Sequence, residues 1–225
     1  MTLVFLALAP VFIILFYVYF RDKYEKEPIL LLVWAVVSGM LITIPILFIE
    51  QGLSNFAAVN LDPSSQIIWS AFVVAAGSEE TFKFIALFIL IWANKNFNER
   101  FDGIVYAVFV SLGFALVENL LYVIQGGISV GWLRAITAVP AHALFGVTMG
   151  YYFGMARFSS GGMKTAFIIR ALLWPIILHG FYDYCLMSGI PLLLLAFIPF
   201  IIYLWIQGFT KMKQLSDRSR FRPLE

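Results

Sequence analysis

Charged residues are scarce in this 225-residue sequence, because Asp, Glu, Lys and Arg make up only 12% of it. Soluble domains contain about a quarter of such residues, so a soluble globular class is excluded. The single cysteine, Cys185, excludes an internal disulfide framework and cysteine-based metal chemistry. The first apolar run lacks a basic segment before it and a small-residue cleavage pattern after it, which predicts a first membrane span rather than a cleaved signal peptide.

Hydrophobic residues take the place of the missing charges: they make up 62% of the chain. Seven apolar runs are long enough to cross the roughly 30 Å of hydrocarbon in a bilayer. The predicted spans are 2–20, 29–50, 67–93, 103–125, 134–157, 164–187 and 190–207. The sequence therefore predicts an all-α membrane protein, a bundle of about seven transmembrane helices. The bundle forms one domain over 1–208, and a basic cytoplasmic tail follows over 209–225.

Basic residues alternate between the connectors, and this alternation predicts the orientation. Lys and Arg lie between the first and second spans, the third and fourth, the fifth and sixth, and in the tail. The stretches 51–66, 126–133 and 188–189 contain no Lys or Arg. Because basic connectors stay in the cytoplasm, we expect the N-terminus outside and the C-terminus inside.

Seven of the ionisable residues within the predicted spans are candidates for a functional site, because each charge at a helix centre costs about 2.5–3.5 kcal/mol on insertion scales. They are Glu79, Glu80, Lys83, Glu118, His142, His179 and Asp183. With a rise of about 1.5 Å per residue, the two adjacent glutamates lie near the midplane and the later four about 5–10 Å outside it. Polar groups from four helices thus share one layer, which predicts a water-accessible cavity that opens outward.

Residue spacing predicts how these side chains face one another. His179 and Asp183 are four residues apart and share a helix face, and so do Glu79 and Lys83. Glu80 is rotated about 100° from its neighbour, so the two glutamates are expected to play different parts. A stripe of small residues that begins at His142 predicts close contact with a neighbouring helix. The stripe contains Gly146, Gly150 and Gly154.

A structural interpretation exists for each pair. Glu79 and Lys83 could form a stabilising ion pair, His179 and Asp183 an interhelical strut, and Glu118 with its neighbour Asn119 a polar packing contact. All of them being structural together is the weaker interpretation. Glu50, at the outer end of the second span, is assigned to the interface without a role.

Carboxylates and histidines in one cavity suit peptide hydrolysis by an activated water. A glutamate can serve as general base or acid, and histidines can bind a metal or stabilise an oxyanion. The sequence has no Gly-x-Ser-x-Gly or His-Glu-x-x-His motif, and Asp183 is the one aspartate inside a span. A cofactor is not required by any ligand spacing. If a single divalent ion such as Zn²⁺ is bound, the expected ligands are Glu118, His142 and His179.

Four motifs on four consecutive spans resemble those of the PrsW-type membrane proteases. They are Glu79-Glu80-Thr81-Phe82-Lys83, Phe114-Ala115-Leu116-Val117-Glu118, Pro140-Ala141-His142 with Gly146, and His179-Gly180-Phe181-Tyr182-Asp183. The similarity includes the first connector, Arg21 to Pro28, and the segment Phe101 to Tyr106, so it extends over most of the chain. The resemblance implies a catalytic base at Glu79 or Glu80. Glu118, His142, His179 and Asp183 complete the site, supported by Lys83, Phe114 and Asn119.

The same resemblance implies a substrate and a location. A PrsW-type protease would make the first (site-1) cut in a single-span anti-sigma factor in the membrane of a Gram-positive bacterium. That cut would release a sigma factor under envelope or antimicrobial-peptide stress. Membrane lipids are expected as partners and nucleic acid is not, and the oligomeric state stays open. The related CAAX prenyl endopeptidases have EExxxR and FxxxH motifs. Lys83 and Glu118 depart from these, so a prenylated substrate is not expected.

Two other functions also use buried ionisable residues. A proton-coupled transporter needs them, but the seven spans show no inverted repeat and no polar relay toward the inside. A catalytically inactive scaffold that senses peptides would preserve the fold without the chemistry.

Overall fold

The structure is a computed structural model that describes residues 2–223, and no β-strand occurs among them. Its elements are α1 (Thr2–Arg21), α2 (Ile29–Asn60), α3 (Pro63–Trp69), a π-helical segment (Ser70–Ala75), α4 (Ala76–Ile91), α5 (Arg100–Ile136), α6 (Ala138–Arg157), α7 (Gly161–Met187) and α8 (Pro191–Asp217). The α3, π-helical and α4 segments follow one another without a break, so they form one helical stretch over 63–91.

Five helical stretches of the described chain are long and apolar enough to cross a membrane. They are Thr2–Arg21, Ile29–Asn60, Arg100–Arg157, Gly161–Met187 and Pro191–Asp217. The third is 58 residues long and contains both α5 and α6. Large apolar side chains such as Phe48 and Ile89 are exposed on the outer surface, as lipid contact requires. The chain is thus an all-α membrane protein, as predicted, whereas seven crossings and an outward N-terminus stay predictions.

Three helices extend past their predicted ends. Helix α2 continues ten residues beyond position 50 to Asn60, and α5 continues to Ile136 through a non-helical Gly127 with a φ of 75°. Helix α8 crosses the predicted boundary at 208/209 and ends at Asp217, with Met212 and Leu215 buried. Hydropathy marks only the part of a helix that lies in lipid, and it does not show where the helix itself ends. The division into a domain and a tail stays a prediction.

Helix α5 lies at the centre of the bundle and is packed closely by α6 and α2. A Cβ atom at Gly150 of α6 would lie 2.2 Å from the carbonyl oxygen of Gly103 on α5. On the α2 side, a Cβ at Gly113 would lie 2.1 Å from the Val36 carbonyl oxygen. A helix comes this close to a neighbouring backbone only where the residue that faces that backbone has no side chain. The predicted glycine stripe of α6 therefore faces α5, which confirms that a neighbouring helix covers it.

The π-helical segment lies directly before the paired glutamates. Its Phe72 ring packs against α7, where a Cβ at Gly180 would lie 2.3 Å from that ring. Short π-helical turns inside α-helices are frequent at functional sites. Here the segment fixes the approach of α4 to α7 beside His179.

Candidate active site

The ionisable residues predicted to share a layer do converge on one place. Helix α4 contributes two glutamates and a lysine, α5 a glutamate, α6 a histidine, and α7 a histidine and an aspartate. They meet at a cavity of about 490 Å³. The predicted residues that line it are Glu79, Phe114, Glu118, His142, His179 and Asp183. One cavity thus collects side chains from four helices, as the sequence predicted.

Lys83 lies fully buried at the centre of this cluster. Its Nζ donates to Glu79 at 3.0 Å and to Glu80 at 2.8 Å, and it is 3.2 Å from Nδ1 of His142. It also lies 4.3 Å from the centroid of the Phe114 ring. The predicted pairing of Glu79 with Lys83 is confirmed. A second carboxylate partner, Glu80, was not expected. The two carboxylates together neutralise and hold the ammonium group of Lys83.

The two adjacent glutamates occupy different environments. Glu79 lines the cavity, whereas Glu80 has no exposed surface and lies behind it. Both remain close to Nδ1 of His179, at 3.9 Å for Glu79 and 2.9 Å for Glu80. The helical offset between neighbouring residues therefore separates their exposure without separating their partners. Glu79 is the acid that a water in the cavity can reach.

Each histidine contacts a carboxylate through Nε2, the ring nitrogen that points away from the glutamates of α4. Nε2 of His142 lies 2.9 Å from Glu118, and Nε2 of His179 lies 3.3 Å from Asp183, which confirms the predicted pairing on α7. An ammonium group only donates, so Nδ1 of His142 accepts from Lys83 and its Nε2–H donates to Glu118. Both rings therefore turn Nδ1 toward the glutamates of α4.

Arg134 is a site residue that the sequence interpretation missed. Its Nη2 lies 2.6 Å from Glu118, and its Nε donates to Oδ1 of Asn119 at 2.9 Å. The guanidinium carbon lies 4.2 Å from the centroid of the Tyr122 ring. A signal was present, because Arg134 is a basic residue at an end of a span where connectors otherwise contain none. The span boundary drawn at that residue hid it.

The contacts of Asn119 and Glu50 refine what the sequence predicted for these two residues. Asn119 does not line the cavity: it is fully buried, and its Nδ2 donates to the Ala7 carbonyl at 2.9 Å, which ties α5 to α1. Glu50, assigned no role, does line the cavity, and Ser78 donates to it at 3.4 Å. The position of Glu50 in the cavity was not predicted, because Glu50 is far from the motifs in the sequence.

Comparison with known proteins agrees with this geometry. Residues 27–206 match the PrsW family intramembrane metalloprotease, which covers well over half of the chain. The chain is 38% identical over 212 residues to Protease PrsW of Oceanobacillus iheyensis, covering 94% of this chain and 95% of that protein. It is 35% identical over 207 residues to Protease PrsW of Bacillus subtilis, covering 92% of each.

The chain belongs to the PrsW family of intramembrane metalloproteases. A further relative, Protease PrsW of Clostridioides difficile, is 33% identical over 220 residues and covers 96% of this chain and 92% of its own. No solved structure matches the chain. Membership confirms the predicted resemblance and is consistent with a multi-pass protein of the cell membrane.

The metal that the PrsW family description implies fits the donors of this site. One donor atom each from Glu79, Glu80, His142 and His179 lies within 4.8 Å of the others. Oε2 of Glu80 is buried without a hydrogen-bond partner. Imidazoles with a carboxylate suit Zn²⁺ and similar ions. Glu118 is not in this group, because it contacts the far side of His142. The predicted ligand set with Glu118 stays a prediction, and its two histidines are shared with the group seen here.

Proposed function

We propose that this chain is a glutamate-dependent, membrane-embedded peptidase in which Glu79 activates the attacking water. The observation that carries this is the difference between the paired glutamates. Glu79 lines the cavity, whereas Glu80 is buried with one oxygen on Lys83 and His179. A general base must reach water and also lie beside the group that positions the substrate carbonyl.

The other residues then hold this arrangement in place. Glu80, His142 and His179 would hold a divalent ion such as Zn²⁺, which would polarise the peptide carbonyl and activate water when bound. Nδ1 of His142 would give up its hydrogen bond from Lys83 to become a ligand. Glu118 and Asp183 accept from the outer nitrogens of the histidines, so they fix each ring with Nδ1 inward. Lys83 offsets one of the two glutamate charges. Glu79 takes a proton from the attacking water and delivers it to the leaving amine nitrogen as the C–N bond breaks.

The substrate we propose is a single-span anti-sigma factor, cut at site 1 near the outer side of the membrane. The predicted orientation supports this, because it puts the cavity in the outer half of the bilayer. Apolar side chains such as Leu47, Leu121 and Leu186 line the cavity beside the polar cluster. They offer contacts for the apolar residues of a transmembrane substrate. Sigma-factor release under envelope stress would follow from that cut.

The test is cleavage of a purified single-span anti-sigma factor by the protein in lipid vesicles, with and without a chelator. We expect cleavage that the chelator stops and added Zn²⁺ restores. Intact substrate under all conditions, with tight substrate binding, would instead support a scaffold. Substrate-independent proton flux across the vesicle membrane would support a transporter. Either result would contradict the proposed peptidase.

A further inference from the structure

A second group of carboxylates lies at the opposite end of α5 from the catalytic cavity. Glu25 and Glu27 belong to the connector between α1 and α2, and Asp102 lies in the first turn of α5. One oxygen from each lies within 4.8 Å of the others. Asp102 and Glu118 are 16 residues apart on α5, so this group is about 24 Å from the catalytic layer. It shares no residue with the site described above.

Each of these three carboxylates has one oxygen that accepts a hydrogen bond from an N–H or O–H group of another residue, and a second oxygen that accepts none while the carboxyl groups are ionised. Glu27 and Asp102 lie close enough to share a proton. Asn98 donates to Glu25 at 2.8 Å, Tyr106 donates to Glu27, and the backbone N–H groups of residues 98 and 99 donate to Asp102 at 2.8 Å. The second oxygen of each is buried without a partner. Glu27 is 3% exposed and Asp102 is 0% exposed, so water does not satisfy them from the surface. Buried acceptors left over in this way are costly and call for an explanation.

The surroundings add further acceptors, and the nearby cations of the described chain do not form ion pairs with the three carboxylates. Oδ2 of Asp22, Oε2 of Glu99 and Oδ1 of Asn98 are also buried without hydrogen-bond partners. No ion pair found among residues 2–223 includes a carboxylate of this group. The nearby Lys26 donates to the backbone carbonyls of Tyr19 and Asp22 instead. Burial and the adjacent Asp102 raise the pKa of Glu27 to about 9, so the ionised form of this carboxyl group is disfavoured.

We propose that Glu25, Glu27 and Asp102 form a binding site for a hard divalent cation, Mg²⁺ or Ca²⁺. Carboxylate and amide oxygens are the ligands that such ions prefer, and the three unpartnered oxygens come from two segments separated in sequence. The amide oxygen of Asn98 is available as a further ligand. This donor set contains no nitrogen and so differs in kind from the histidine-containing catalytic site. A bound ion would fasten the first connector to the start of α5.

Calorimetric titration of the full-length protein with MgCl₂ and with CaCl₂, in detergent after chelator treatment, tests this site. The same titration in the double variant His142→Ala, His179→Ala removes the catalytic histidines from the measurement. We expect one ion per chain in both proteins, together with a higher thermal unfolding midpoint. The tighter of the two ions identifies the cation. Because the double variant lacks two of the three proposed catalytic ligands, this result does not depend on the proposed peptidase.

Glu27→Gln is the variant that tests the assignment of the ligands. An amide oxygen still accepts from Tyr106, but a charge is lost, so we expect cation affinity to fall about tenfold or more. Glu25→Gln should do the same if the first variant folds poorly. Asp217→Asn removes a negative charge near the C-terminal end of α8 and should bind as the original does.

Two results would overturn the proposal. One is no binding of either ion at millimolar concentration. The other is equal binding by the original protein and by the glutamine variants. If acidification alone stabilises the protein and neither ion does, a shared proton neutralises the cluster and the cation site is wrong.

Discussion

Nε2 of His142 lies 2.9 Å from the Glu118 carboxylate, on the opposite side of the ring from Lys83. His179 and Asp183 repeat the relationship on α7 at 3.3 Å. Two histidines from different helices therefore turn the same ring nitrogen toward the cluster of Lys83, Glu79 and Glu80. A carboxylate behind each imidazole fixes the tautomer and increases the basicity of the inward nitrogen.

The two glutamates of α4 should respond differently to the same substitution. Glu79→Gln removes the proposed base but leaves the three proposed metal ligands, so we expect peptidase activity to fall about 10²–10⁴-fold with metal content unchanged. Glu80→Gln should lose both. Activity and metal content per chain are measured on the same preparation, with Asp217→Asn as the control. Equal metal loss in both variants would contradict the separate roles.

The carboxylates behind the histidines should control metal affinity without binding the metal. Glu118→Gln and Asp183→Asn should each weaken metal binding about 10–100-fold, because the imidazoles lose their charged acceptors. Competition with a chromophoric chelator measures the affinity. If Glu118→Gln abolishes binding while Asp183→Asn has little effect, Glu118 is itself a ligand, as the sequence interpretation assumed.

Arg134 should act through Glu118. Its guanidinium spans Glu118 and Asn119, and a lysine cannot make both contacts. We therefore expect Arg134→Lys to lose most of what Arg134→Ala loses, about tenfold in kcat, with little change in KM. Steady-state kinetics on the proposed anti-sigma substrate distinguish the two parameters. A change in KM alone would indicate that Arg134 contacts the substrate instead.

The sequence predicted which chemical groups form this site, but it did not predict all of the residues that belong to it. Buried charge is costly enough that Glu79, Lys83, His142 and His179 could be identified from the apolar runs around them. Contacts between distant elements could not be identified in this way. Arg134 reaches Glu118 only because α5 continues past Gly127 and turns back, and a hydropathy pattern does not contain that turn.

Close contact between α5 and α6 should make Gly150 intolerant of any side chain. A Cβ there meets the backbone oxygen of Gly103 at 2.2 Å, and backbone cannot rotate away as a side chain can. We expect Gly150→Ala to cost about 1–3 kcal/mol, seen as a lower thermal unfolding midpoint in detergent. Gly52→Ala is the control, because a Cβ at Gly52 meets nothing within 4 Å. Equal midpoints for the two variants would contradict the predicted clash.

The predicted orientation can be tested by cysteine labelling. Cys185 is the single cysteine of the sequence, so Cys185→Ser provides a background without other thiols. In that background, Asn60→Cys should react with an impermeant maleimide on intact cells. Lys95→Cys and Gln214→Cys should react only after lysis. Labelling of Lys95→Cys on intact cells would show that the orientation is opposite to the predicted one and that the site lies in the inner half of the bilayer.

The existence of the helices was predictable from the sequence, whereas the faces through which they contact one another were not. The glycine stripe that follows His142 indicated a close neighbour, but it did not indicate that α5 was that neighbour. The π-helical segment left no trace in the sequence interpretation, since the residues 70–75 are small or apolar and fit a regular helix equally well. Tertiary packing of Phe72 against α7, rather than local propensity, accompanies the wider turn.

That wider turn sets the direction in which the glutamates of α4 point. A π-helical turn contains one residue more than an α-helical turn, so every residue after it is rotated by about 100° relative to an uninterrupted helix. If residues 70–75 closed into a regular helix at their present number, Glu79 and Glu80 would rotate away from the histidines without any change in their own sequence. Deleting a single residue between Ser70 and Ala75 together with that closure would cancel the rotation and leave both glutamates facing the histidines. The chemistry of this site is thus encoded partly in a count of residues upstream of it.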